Sequence, residues 1–148
     1  MAFRLVKDPM DTHAELLEIA SITVVVGDLL ELQAAGATES WILCTSSTEF
    51  WSPKAVAMEA AASTATSVLA IRVNEAQEWE VDLANASNTA HNNQLMVLTD
   101  ENTVNNTGTD STANAAIFRQ RSSVGATADN KAVGNFAVGH GIDIPASS

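Results

Sequence analysis

The chain has one cysteine, three prolines, no tyrosine and only seven lysines and arginines in 148 residues. A single cysteine, Cys44, excludes an intrachain disulfide framework and any cysteine-based zinc knuckle. Seven cations against 18 carboxylates leave a net charge of −11, and such a surface repels phosphate backbones, so nucleic acid is not the expected partner. No apolar run approaches the roughly 18–20 residues that cross a bilayer, so no membrane partner is expected either. The first residues contain no apolar h-region, and no secretory signal is expected. Long amphipathic helical stripes are missing as well, which removes helix bundles and layered α/β enzymes from consideration.

What is present is short, β-prone and punctuated. The apolar share is 46%, but 25 of those residues are alanine, so larger side chains suffice only for a thin core. Stretches at 22–26, 29–32, 41–44, 68–73, 79–83, 95–98, 115–118, 123–127, 132–138 and 142–144 read as short strands, several of them rich in β-branched or aromatic residues, separated by polar or glycine-containing turns. In the clearest, Trp79, Val81 and Leu83 alternate with Glu78, Glu80 and Asp82, the period of a half-buried strand. Gly27-Asp28 predicts a hairpin or bulged bend between two apolar runs. Residues 11–19 carry mixed signals and read as an irregular lead-in or one helical turn, while 84–93 and 100–114 read as polar loops. The expected fold is all-β: one or two small antiparallel β-barrels or sandwiches with long polar loops. An extended N-terminal arm over 1–11 ends near Pro9, and the body over 12–148 divides into possible sub-structures at 12–84 and 94–148.

Chemistry-bearing patterns are sparse. His13, His91 and His140 sit in polar or glycine-containing segments, at no metal-ligand spacing, so no metal is expected. Residues 100–110 lack the ligand spacing of a calcium loop. No phosphate-binding glycine loop, nucleophile elbow or zinc-protease motif occurs, and neither a cofactor nor catalysis is expected. Cys44 reads as a buried free thiol. Charge is uneven: the first 101 residues hold the whole excess of −11 and the rest are balanced. Two features point to protein contacts. The arm offers apolar Phe3, Leu5 and Val6 with cationic Arg4 and Lys7, and Phe50-Trp51 forms an aromatic pair in a loop closed by Pro53.

The stretch Ile22-Thr23-Val24-Val25-Val26-Gly27-Asp28-Leu29-Leu30-Glu31-Leu32, followed by Pro53-Lys54-Ala55-Val56-Ala57-Met58-Glu59-Ala60-Ala61, resembles the barrel pattern of tailed-bacteriophage head decoration (cement) proteins. Lys54-Ala55-Val56-Ala57 stands where that family has a Gly-Val-Ala-like strand, and the resemblance covers residues 20–83. It implies a virion structural protein made in the host cytoplasm. Such a protein is a homotrimer on the capsid exterior, bound to the major capsid protein, with no cofactor and no catalysis. Phe3, Arg4, Leu5, Val6, Lys7, Phe50 and Trp51 are the residues expected to meet the shell. A tail or head-completion component and a ligand-binding β-barrel or surface module are the alternatives.

Overall fold

The computed structural model describes residues 3–33, 40–49, 52–106, 116–124 and 129–137. Its strands in chain order are β1 (Arg4–Lys7), β2 (Glu15–Glu18), β3 (Leu29–Leu32), β4 (Trp41–Leu43), β5 (Lys54–Ala57), β6 (Ser67–Arg72), β7 (Glu78–Asp82), β8 (Leu95–Asp100), β9 (Thr103–Asn105), β10 (Phe118–Ser123) and β11 (Lys131–Phe136), with a 3₁₀ turn at Thr89–His91 between β7 and β8. They form two antiparallel sheets, one ordered β1-β7-β11-β10-β8-β9 and the other β2-β6-β5-β3-β4. The fold is all-β, as the punctuated β-branched runs require.

Each sheet curls until its far side returns. Leu83, just past β7, meets Val104 of edge strand β9 in a single parallel bridge. Ile19, just past edge strand β2, meets Trp41 of edge strand β4 in the same way. One bridge is not a ladder, so neither sheet closes into a barrel.

Alternation along β7 explains the first sheet. Trp79 and Val81, with Leu83 beyond, are fully buried. Phe136 packs edge to face against Phe3, Phe118 and Trp79, with ring centroids 5.3, 5.3 and 6.0 Å apart, a geometry that favours the ring quadrupoles. Gly134 lies opposite Trp79 and leaves room for this stack. A Cβ there would stand 2.0 Å from the Arg119 carbonyl oxygen and 2.6 Å from the Phe118 ring. On the other face, Glu80 pairs with Arg4, Glu78 with Lys7 and Asp82 with Lys131.

The second sheet is covered on both faces, which is why all four residues of β5 are buried. Val56 joins Leu29, Cys44, Ile71 and Val73 in the core shared with the first sheet. Ala55 and Ala57 point the other way and pack with Leu30, Trp41, Val68 and Ala70 beneath Ile19, Ile22, Val24 and Ala61. The abundant alanine thus lets irregular backbone lie close against a sheet.

Several expectations change. Arg4–Lys7 is extended as expected for 1–11, but it is an edge strand rather than a detached arm, because Phe3 already has apolar cover in the core. Residues 15–18 are a strand, since pairing with β6 outweighs the weak helical spacing. Of 22–26 only Val24 pairs, with Ala61, because Gly27 at φ 91° and the Asp28 carboxylate on the Val25 amide turn the chain away. Within the loop expected at 100–114, Thr103–Asn105 forms β9. Phe118–Ser123 is one strand where two were expected. The first sheet draws β1 and β7 from the first 84 residues and β8 to β11 from the remainder. The strand expected at 142–144 lies outside the described residues.

Candidate interaction surfaces

The residues expected to meet a partner are largely committed within the chain. Phe3 is buried and Leu5 packs against the same core. The Arg4 guanidinium is held by Glu80, and Lys7 lies 3.5 Å from Glu78, so both charges are answered on β7. Val6 alone of this set is an exposed apolar side chain. Phe50 and Trp51 lie outside the described residues. Trp41 and Trp79 are core residues.

A different apolar surface emerges from the register. Gly27 N donates to Ala57 O at 2.9 Å, Met58 N donates to Leu69 O at 2.8 Å, and Leu69 faces Leu16 across the β6–β2 ladder. Those bonds set Val26, Met58, Leu69 and Leu16 on successive neighbouring segments. Leu16, Val25, Val26 and Met58 are between 42% and 67% exposed, far above the usual state of such side chains. Alternation puts Leu16, Leu69 and Met58 on the face whose other end, Val56 and Ile71, is covered by the first sheet. The row is therefore the uncovered continuation of a core face. Glu18 and Glu59 border it, and Glu59 is fixed by accepting from Leu69 N. An apolar centre with a polar rim is the anatomy of a protein interface.

The described part of the loop before β5, residues 44–49 with 52 and 53, is organised around an internal cation. In Lys54-Ala55-Val56-Ala57 the period of two places Lys54 on the inward side with Val56, and its side chain is fully buried. Its Nζ donates to Glu49 O at 2.8 Å, Ser52 O at 2.9 Å and Ser52 Oγ at 3.2 Å. Burial lowers the amine to a pKa of about 8, against smaller opposing effects of Cys44 and Glu31. Burial likewise pushes the Cys44 thiol well above its ordinary value, which keeps it protonated and unreactive. Thr48 Oγ1 donates to Glu31, and its Oγ1 accepts from Thr45 N at 2.8 Å. A hollow of about 400 Å³ opens beside this loop, walled by Glu31, Ile42, Leu43, Thr48 and Glu49 among others. Sequence reasoning passed over Lys54, although the alternation of β5 was the signal for it.

Two of the three histidines lie among the described residues. His13 is exposed, His91 ends the 3₁₀ turn, and His140 lies outside the described residues. Among the described residues no group of three or more His, Cys, Asp or Glu side chains is placed to hold a metal ion, and no helix is long and apolar enough to cross a membrane. No protein-family model, no curated protein and no solved structure matches this chain.

Proposed function

We propose that this protein is a structural component of a phage virion. It binds the outer surface of the capsid as a homotrimer and clamps neighbouring major capsid proteins. The observation that carries the reading is the row of exposed Val26, Met58 and Leu16 with half-buried Leu69 among them, the open end of a core face on an otherwise acidic body. Burying such a row against a partner contributes roughly 25 cal/mol for each Å² removed from water. Modest contacts of this kind become durable when repeated around a symmetry axis, because the second and third contacts form at high effective concentration. Acidic surroundings keep densely displayed copies from adhering to other particles. The resemblance over residues 20–83 supplies the identity of the partner, and the row supplies the means.

The test is co-sedimentation of the purified chain with intact icosahedral particles stripped of surface proteins. Saturation at a fixed ratio to the shell subunit is the expected result. Failure to saturate, or equal binding to unrelated particles, contradicts the proposal. The 400 Å³ hollow favours a second reading, a small-ligand module, which a saturable thermal shift with one compound class would establish in its place.

A further inference from the structure

All seven lysines and arginines lie among the described residues, and five have evident local work. Arg4, Lys7, Arg72 and Lys131 each pair with a carboxylate, and Lys54 is capped by carbonyls and a hydroxyl inside its loop. Arg119 and Arg121 have no carboxylate partner among the described residues, although the chain carries 18 of them. Both are exposed on β10 and border the same hollow.

Three features present this pair. The β10–β11 register shifts between Gln120 and Ser122, so Arg121 is the extra residue of a β-bulge, a device that re-aims a side chain. Gly134, opposite Gln120, permits the close approach of the strands, since a Cβ there would strike the backbone of Arg119. Asn135 is pinned by donating from Nδ2 to Gln77 O at 2.8 Å and Glu75 O at 3.2 Å, and its Oδ1 accepts from Arg121 Nη1 at 3.4 Å. The two guanidiniums border a hollow of about 310 Å³ whose other walls include Leu95, Phe136, Ala137 and Glu75.

We infer that this hollow docks an acidic peptide segment of a partner protein, with carboxylates on Arg119 and Arg121 and an apolar side chain against Leu95 and Ala137. A guanidinium presents a planar fork of donors that matches a carboxylate in two hydrogen bonds. A net charge of −11 disfavours a nucleic-acid strand at the same place. The apolar walls suit a peptide better than a free inorganic anion. The inference does not depend on the capsid reading, since it concerns a different sheet and a different chemistry.

The experiment is fluorescence anisotropy of the full chain with a labelled peptide alternating glutamate and leucine. The comparison ligands are its glutamine counterpart, a labelled single-stranded oligonucleotide and inorganic phosphate as competitor. The acidic peptide should bind, weaken with salt, and lose about tenfold or more in affinity in the Arg119→Gln/Arg121→Gln variant, while Lys7→Gln leaves it unchanged. Equal binding of the glutamine peptide, tighter binding of the oligonucleotide, displacement by phosphate alone at similar concentration, or undiminished affinity in the double variant each overturns the proposal. So does a salt-sensitive self-association that disappears in the same variant, which would assign the hollow to a second copy of this chain. The variant should keep the wild-type circular dichroism and melting temperature, because neither arginine carries an ion pair within the fold.

Discussion

Lys54 and Cys44 are neighbours in the interior, and burial drives each away from its charged form, the amine down to about 8 and the thiol upward. Their contributions to stability run in opposite directions with pH. The lysine's folded pKa lies below its unfolded value near 10.4, so the cost of burying the cation is present in full below about pH 8. That cost is relieved between about pH 8 and 10.4, and stability from this group rises there. The thiol's folded pKa is raised, so its contribution is intact below about pH 8.5 and is lost above it. In Cys44→Ala the lysine acts alone. Its unfolding free energy from urea titration should climb by roughly 2–3 kcal/mol from pH 8 to pH 10. Adding Lys54→Met should flatten that climb. A climb that survives the second substitution would assign it to another group.

Phe3 belongs to the aromatic core, so the first strand is part of the fold. Phe3→Ala should cost about 3–5 kcal/mol, and removal of residues 1–10 should cost at least as much by uncovering Trp79 and Phe136. Calorimetry checks this. A truncated chain with an unchanged melting temperature would return the segment to the status of a detached arm.

Gly134→Ala should be among the most damaging single-methyl additions in the chain. The new Cβ meets the Arg119 carbonyl oxygen at 2.0 Å, a backbone atom that cannot swing aside. A loss of about 2–3 kcal/mol, or roughly 5–10 °C in melting temperature, follows. An unchanged transition would mean that β10 and β11 separate easily, and the stack of Phe118 on Phe136 would then be no constraint.

Gln120 is fully buried, and its Nε2 donates to Asn88 O at 2.9 Å and Asn92 Oδ1 at 2.8 Å, fastening the 3₁₀ turn to β10. Gln120→Leu takes the donor from Asn92 Oδ1 and leaves Asn88 O with the His91 amide alone, and should cost about 1–3 kcal/mol. Amide exchange at His91 and Asn92, which donate within the turn, should accelerate more than exchange in β2 or β6. Uniform acceleration would point to global destabilisation only.

The all-β class was legible because β-branched runs and polar punctuation act locally. The burial of Trp79, Val81 and Leu83 was legible from period alone. What escaped was set by distant pairing. Residues 15–18 show helical spacing and become β2 only because β6 offers a free edge. Val25 and Val26 have the composition of a strand, yet Gly27 and Asp28 hold them in a turn, which turns expected core residues into exposed ones. Arg4 and Lys7 resembled contacts waiting for a partner, and their partners proved to be Glu80 and Glu78, 76 and 71 positions away. The row itself spans four stretches of chain, so no local pattern announces it.

The most direct test of the docking surface is the occupancy of stripped capsids by the Leu16→Glu/Met58→Glu variant relative to the unaltered chain. Both side chains are already exposed, so the substitutions should leave the melting temperature within a few degrees. Occupancy should fall by about tenfold or more, as carboxylates are forced into an apolar contact. Full occupancy by a folded double variant would contradict the proposed docking.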